Sequence, residues 1–489
     1  IVVIFLFQLF SFNFYKLKTL KQAPDPNEGD LSRSLEHTTM LRQHHRTLCK
    51  RLNRQYQLTS TFTTATTTAS PSTADVVIIG GGAIGSSIAD WLIRTDASLS
   101  VVCIERDPAF TMASSALSVG SIRQQFSLKE NVEISQFGID FIHELSTDVE
   151  NSVQFDSGGY AFLSTTEPGA TQLRENVNMQ RECGADVQLF GTGTEFKKHF
   201  PWCNVDDVTE ATLGSPGEEG WFDPFTLTTA LKRRAAGRGV TFVQGEVCNI
   251  TCTNTTGDPQ TSIDVVQYRD SAGGVADIKG GIVVNAAGCW SQGVLDLALG
   301  GKGTHSTKAN RLLPVVAKKR NVFVLHCPTP LEPSVPLLVD TSGMYVRREG
   351  DPSRGLYLCG GMESMHTDDP DCVGTPDELV VDHDLWMNHM WPALAYRIPA
   401  FEECKVVSSW AGFYDYNTFD QNALLGKIPG FTNHYTATGF SGHGIQQAPA
   451  IGRAIAELIV HSEYRSIDLT KFDVSRVVEG RPYPELNVV

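Results

Sequence analysis

The chain has 489 residues, 41% of them hydrophobic and 19% charged, with a formal net charge of −15. That length and composition suit a globular protein of two or more domains. Residues 1–74 carry nine Lys/Arg and four Asp/Glu, which leaves 31 basic and 51 acidic residues in the remainder. A body of net charge −20 argues against nucleic acid or anionic lipid as a non-specific partner.

The first ten residues, IVVIFLFQLF, are apolar but too few to span a bilayer, which takes about twenty. From Met40 to Ala74 there are five basic residues (Arg42, Arg46, Lys50, Arg51 and Arg54), many Ser/Thr, and no Asp or Glu. An acid-free, Arg-rich, hydroxyl-rich stretch predicts a mitochondrial presequence. The Thr/Ser/Ala tract over 59–74 reads as a linker. Residues 1–74 are therefore expected to be a leader.

Next comes a dinucleotide-binding unit. Val76 to Ile79 predicts a buried parallel strand, Gly80, Gly82 and Gly85 follow in G-x-G-x-x-G register, and a helix runs from Ala83 to about Arg94. A second apolar strand, Leu99 to Ile104, ends at Glu105. Gly80 makes the turn, Gly82 admits a pyrophosphate to the backbone, and Gly85 lets helix and strand close up. The orphan N–H groups and dipole of the helix N-terminus favour the diphosphate. A carboxylate twenty residues past Gly85 suits two ribose hydroxyls and repels a 2′-phosphate, so FAD or NAD is expected over NADP.

Downstream, Asp223 and Pro224 are a good N-cap and first helical residue, and Val240 to Val247 alternates as a strand. In GGIVVNAAGCWS, residues 280–291, Ile282 to Val284 predict a short strand, and Ala286, Ala287 and Gly288 leave room beside the backbone. Residues 435–460, YTATGFSGHGIQQAPAIGRAIAELIV, predict a glycine loop and a helix from about Ile445, with Pro449 in its first turn. Such a helix end would stabilise negative charge on a reduced flavin. Short alternating runs such as YAFLS and GMYVRREG predict a largely antiparallel sheet on the substrate side. The eleven cysteines include no C-x-x-C and no zinc-ligand spacing, so free thiols and no metal site are expected.

Four segments, GGGAIGSS, VVNAAGCWS, WAGFYDYNTFDQNALLG and ATGFSGHGIQQAPAIG, together resemble the D-amino-acid oxidase-like flavoproteins, on the side of sarcosine oxidase and the sarcosine and dimethylglycine dehydrogenases. The phrases LSVGSIRQQFSL, EGWFDPF and DTSGMYVRREG are similar to a mitochondrial branch implicated in assembling respiratory complex I. The resemblance covers nearly everything from Asp75 onward. It implies an α/β fold, α+β overall, in which a Rossmann-like FAD domain of the glutathione-reductase kind is interleaved with a mixed-sheet substrate domain. The FAD domain would take residues 75–152, 218–303 and 417–489, and the substrate side 153–217 and 304–416. It further implies that Gly80, Gly82, Ala83, Ile84, Gly85, Glu105 and Arg106 hold the ADP half of FAD, and that Val247 meets the adenine. Ala287 and Gly288 would flank the pyrophosphate. Gly439, Ser441, Gly442, His443, Gly444 and Ile445 would line the pyrimidine end.

Departures from the family shape the functional expectation. Where relatives attach FAD through a His or a Cys, this chain has Ser118 and about Gly412, so non-covalent FAD is expected. Where sarcosine-oxidase-like enzymes hold a substrate carboxylate with an Arg and a Lys, this chain has Phe126 and Gln446. Arg123 is the leading candidate for orienting a ligand or the flavin; Arg347 or Arg348 could substitute, though a solvated sheet face explains either equally well. Tyr414 and His443 are acid–base candidates, with packing and loop-shaping as their bland alternatives. Two readings follow. One is a flavoprotein working through complex I subunits or assembly intermediates. The other is a dehydrogenase oxidising the C–N bond of an amino-acid-like secondary amine. The missing clamps favour the first.

Overall fold

The computed structural model describes residues 71–254, 260–300, 312–331, 335–361 and 371–487. The apolar N-terminal run and nearly all of the leader lie outside them.

Five parallel strands carry the first sheet. They are β1 (Thr73–Ile79), β2 (Val101–Glu105), β3 (Thr241–Gln244), β4 (Val275–Asn285) and β5 (His434–Thr438), in spatial order β5-β4-β1-β2-β3. Val76, Val77 and Ile78 of β1 stand opposite Ile282, Val283 and Val284 of β4, and β2 flanks the other side. Both faces of the sheet are covered, so its strands read as continuous apolar runs. Helix α1 (Ala83–Thr95) follows β1, α2 (Pro224–Gly237) precedes β3, and α3 (Gly444–His461) follows β5. Asp223 caps α2 through a 2.6 Å bond from the Thr226 N–H.

Three local expectations need correction. The strand expected over Val240 to Val247 breaks at Gly245 into β3 and Glu246–Asn254. A Cβ at Gly245 would lie 2.3 Å from the Tyr268 ring, so only glycine allows the turn. Strand β4 is eleven residues long, not three. Its first half pairs antiparallel with Thr261–Arg269 before the strand enters the parallel sheet. Helix α3 begins at Gly444, one residue early, because the Gln447 N–H already reaches the His443 carbonyl at 3.2 Å. Pro449 therefore sits beyond the first turn, where it removes the helical bond to the Ile445 carbonyl.

The second sheet is mixed. Its long strands Val315–His326 and Lys405–Asn417 pair antiparallel along their whole length, and Leu337–Val339 runs parallel to Tyr160–Ser164. One core cluster on this sheet is aromatic, with Tyr160, Phe162, Trp221 and Tyr345 among its members.

Candidate functional site

A cleft of about 300 Å³ runs where the ends of β1, β2 and β4 meet the start of α3. Each wall has a local cause. Gly80 turns at φ +101°, and a Cβ there would lie 2.4 Å from the Ala286 carbonyl oxygen. A Cβ at Gly85 would lie 1.8 Å from the Gly80 oxygen, so α1 packs on β1 only through glycine. The N-caps of α1 and α3, Gly82 and His443, form no side-chain cap bond. Both helices thus bring uncapped N-termini to the cleft, the arrangement that receives anionic groups.

Glu105 closes β2 with its carboxylate fixed. Oε2 accepts from the Gly81 N–H at 2.7 Å and Oε1 from the Asp107 N–H at 2.8 Å. Burial pushes its pKa up, against these two bonds. Next to it, the Arg106 guanidinium lies 3.9 Å from the centre of the Trp290 ring, a cation–π contact that fixes both side chains at the cleft.

At the far end Asp415 lines the cleft, and its Oδ2 accepts from the Gly439 and Phe440 N–H groups at 3.0 and 3.1 Å. Burial raises the Asp415 pKa to about 6. Gly442, at φ +94°, lies flat against Tyr414; a Cβ there would be 2.6 Å from the phenol ring.

Of the residues singled out in the sequence, the cleft is lined by Gly80, Gly82, Ala83, Ile84, Glu105, Arg106, Val247, Ala287, Gly288, Tyr414, Gly442, Gly444 and Ile445. Gly85, Gly439 and Ser441 shape it from behind; the Ser441 hydroxyl is turned to the Asn417 N–H at 3.0 Å. His443 and Arg123 line instead a second cavity of about 40 Å³, which shares Tyr414, Ser118 and Gly442 with the cleft. Tyr160, Tyr345, Leu337, Gln446 and Ser121 are also in its wall.

Arg123 is buried there. Its Nη1 donates to the Gln125 carbonyl, and its Nη2 to His443 Nε2 and to the Asn487 carbonyl. The guanidinium stacks 4.1 Å above Phe126, and its backbone N–H donates to Gln446 Oε1 at 2.9 Å. Phe126 and Gln446, where the resemblance led us to expect the cations of a carboxylate clamp, thus serve as a platform and an acceptor for Arg123. Arg347 and Arg348 take no part in either cavity wall. Arg347 binds the Val119 carbonyl and Glu349, and Arg348 pairs with Asp156 at 2.6 Å. Neither is a solvated sheet-face residue: Arg347 is 5% exposed and the Arg348 side chain 15%.

Sequence reasoning missed Trp290, Asp415, Tyr160, Tyr345 and the C-terminal Asn487. Trp290 sits two residues past Gly288, and that spacing was the one available signal. Among the described residues no cluster of side chains could hold a metal ion, and no helix is long and apolar enough to cross a membrane.

The FAD dependent oxidoreductase family matches residues 75–458. The chain belongs to that family. It is 43% identical over 437 residues to FAD-dependent oxidoreductase domain-containing protein 1 of Xenopus laevis, covering 86% of this chain and 85% of that protein. The mitochondrial sarcosine dehydrogenase of Mus musculus is 24% identical over 83% of this chain and 42% of its own length. Among solved structures, L-proline dehydrogenase from P. horikoshii superposes with a TM-score of 0.69 at 25% identity, covering 85% of this chain and all of the other. The glycine oxidase of Geobacillus kaustophilus, at TM-score 0.64 and 23% identity over 83% and 99% of the two chains, shares the fold. These matches support the expected fold: a family FAD-binding sheet with a mixed second sheet. The glycine cradle, the two uncapped helix ends and the fixed Glu105 fit the FAD that the family's description names.

Proposed function

We propose that this chain is a mitochondrial oxidoreductase that holds FAD non-covalently and oxidises the C–N bond of a small amine. The observation that carries the reading is that the small cavity adjoins the cleft, the two sharing Tyr414, Gly442, Ser118 and Ile445 in their walls. Bound FAD supplies a two-electron acceptor. The chain's own residues supply orientation, which dominates such a reaction. Tyr414 and Gly442 line both cavities, and neutral His443 and Gln446 line the small one. Non-covalent attachment is supported by Ser118, which lines both cavities, and by Gly412, which packs on Leu117. Mitochondrial residence is supported by the acid-free leader and by the mitochondrial sarcosine and dimethylglycine dehydrogenases among the relatives.

A second role, in the assembly or stability of respiratory complex I through contact with its subunits or intermediates, is proposed beside the first. It is favoured by Arg123, whose grip is spent inside the protein, and by Phe126 and Gln446 where clamps stand in relatives.

Anaerobic mixing of the purified protein with a panel of amines, followed by flavin absorbance, tests the first reading. Bleaching by one amine supports it, and an unchanged spectrum across the panel opposes it. Depletion in cells with complex I measured on native gels tests the second. Loss of the complex, restored by the wild-type chain, supports it; an unchanged level opposes it.

A further inference from the structure

The C-terminal segment is bound as a strap next to the small cavity. Glu485 is 2% exposed; its Oε1 accepts from the backbone N–H and hydroxyl of Ser127, both at 2.7 Å, and its Oε2 from Asn131 at 2.9 Å. The Leu486 N–H donates to the Ser127 hydroxyl at 2.9 Å. Asn487 donates its side-chain amide to the Gln125 carbonyl at 3.2 Å and presents its own carbonyl to Arg123 Nη2. That nitrogen has two protons, and His443 Nε2 takes the other. A two-point grip on a carboxylate, end-on or side-on, needs an Nη2 proton. Both are committed.

Among the described residues Arg123 is the one charged side chain lining this cavity. The other walls are tyrosine rings, aliphatic groups, Ser118, Ser121, the Gln446 amide and a neutral imidazole, which offer an amine neutral polar groups and, through the ring faces, a place for its positive end. A volume of about 40 Å³ holds about three water-sized groups.

We infer that the strap Glu485–Asn487 is a specificity element that withholds Arg123 from carboxylates, so that the cavity takes a small amine lacking a carboxylate. The inference rests on the reading of the cleft as the FAD site and deepens it by naming the substrate class. It separates this chain from an enzyme for amino acids, whose carboxylate needs a cation that the strap has already engaged.

The test uses the full-length holoprotein and two probes, dimethylamine and acetate, each titrated while the flavin spectrum is recorded. Wild type is expected to saturate with dimethylamine and to give no saturable change with acetate. Truncation after Pro484 frees Arg123, and acetate affinity should rise at least about tenfold, the scale of one charge-assisted pair. Adding Arg123→Met to the truncated chain should abolish that gain. If truncation costs the protein its fold, Ser127→Ala, which removes two strap bonds, should still raise acetate affinity about threefold. Acetate binding by wild type as tight as by the released variants overturns the inference, as does a folded variant of either kind that gains nothing. A protein that carries no flavin at all refutes the site itself, a result separate from either of these.

Discussion

Arg123 Nη2 lies 3.2 Å from His443 Nε2, and because arginine only donates, the imidazole nitrogen accepts. His443 is therefore neutral with its proton on Nδ1. Burial and the neighbouring guanidinium both hold its pKa well below the ordinary histidine value. In NMR spectra of labelled histidine, His443 is expected to stay in this tautomer from pH 5.5 to pH 8, about the range in which an ordinary histidine titrates. A titration midpoint within that range contradicts the pairing. His443→Phe leaves an Arg123 proton without an acceptor and should cost about 1–3 kcal/mol in urea unfolding.

The glycine at position 442 is the sharpest steric test of the flavin end. Gly442→Ala places a methyl 2.6 Å from the Tyr414 ring on a residue at φ +94°. The backbone alone costs about 1–2 kcal/mol, and Tyr414 must shift. FAD affinity measured by fluorescence titration should fall at least about tenfold. An alanine variant with wild-type affinity shows that the loop does not touch the cofactor.

Glu105→Gln keeps the shape of the β2 terminus but turns one of its two acceptor oxygens into a donor, although both take a backbone N–H, from Gly81 and from Asp107. Calorimetric FAD affinity is expected to drop about tenfold, the value of one charge-assisted hydrogen bond, and the melting temperature to fall as well, because one backbone N–H loses its acceptor. An unchanged affinity removes Glu105 from the ADP site.

These predictions divide by how far apart their residues lie in the chain. Gly80, Gly82 and Glu105 belong to one strand–turn–helix–strand unit, and Asp223 with Pro224 start one helix, so local rules disclose them. The small cavity was not legible in the same way. Tyr160 and Tyr345 look like any strand aromatic, and the carbonyl that engages Arg123 belongs to a residue 364 positions away. No periodicity encodes such a contact. The beginning of strand β4 is illegible for a related reason: it is half-exposed and alternates weakly, and the Gly280–Gly281 pair looks like a loop. Gly281 is there because a Cβ would meet the Asp75 carbonyl oxygen at 2.9 Å.

Acid stability follows from His434, fully buried on β5, whose pKa burial lowers to about 3. The unfolded chain takes up a proton there near pH 6.5 and the folded chain does not. Stability is therefore present above pH 6.5 and lost as the pH falls from 6.5 toward 3, at about 1.4 kcal/mol per pH unit. Asp415 and Glu219, raised by burial to about 6 and 7, act with the opposite sign: their contribution is present at low pH and lost as the pH rises through those values. Both remain in a His434→Leu variant and cancel in the comparison. Urea unfolding at pH 7 and pH 5 should show a stability difference smaller by about 2 kcal/mol in His434→Leu than in wild type. Equal differences contradict the buried neutral imidazole.

Three distant glycine-bearing loops, at Gly80–Gly82, Ala287–Gly288 and Gly442–Gly444, line one cleft, and a single FAD is expected to bind across them. Calorimetric titration of flavin-free protein with FAD measures this directly. One FAD per chain is expected, released intact to the supernatant when the loaded protein is denatured with acid. No heat of binding under gentle reconstitution, in a chain shown to be folded, contradicts the claim.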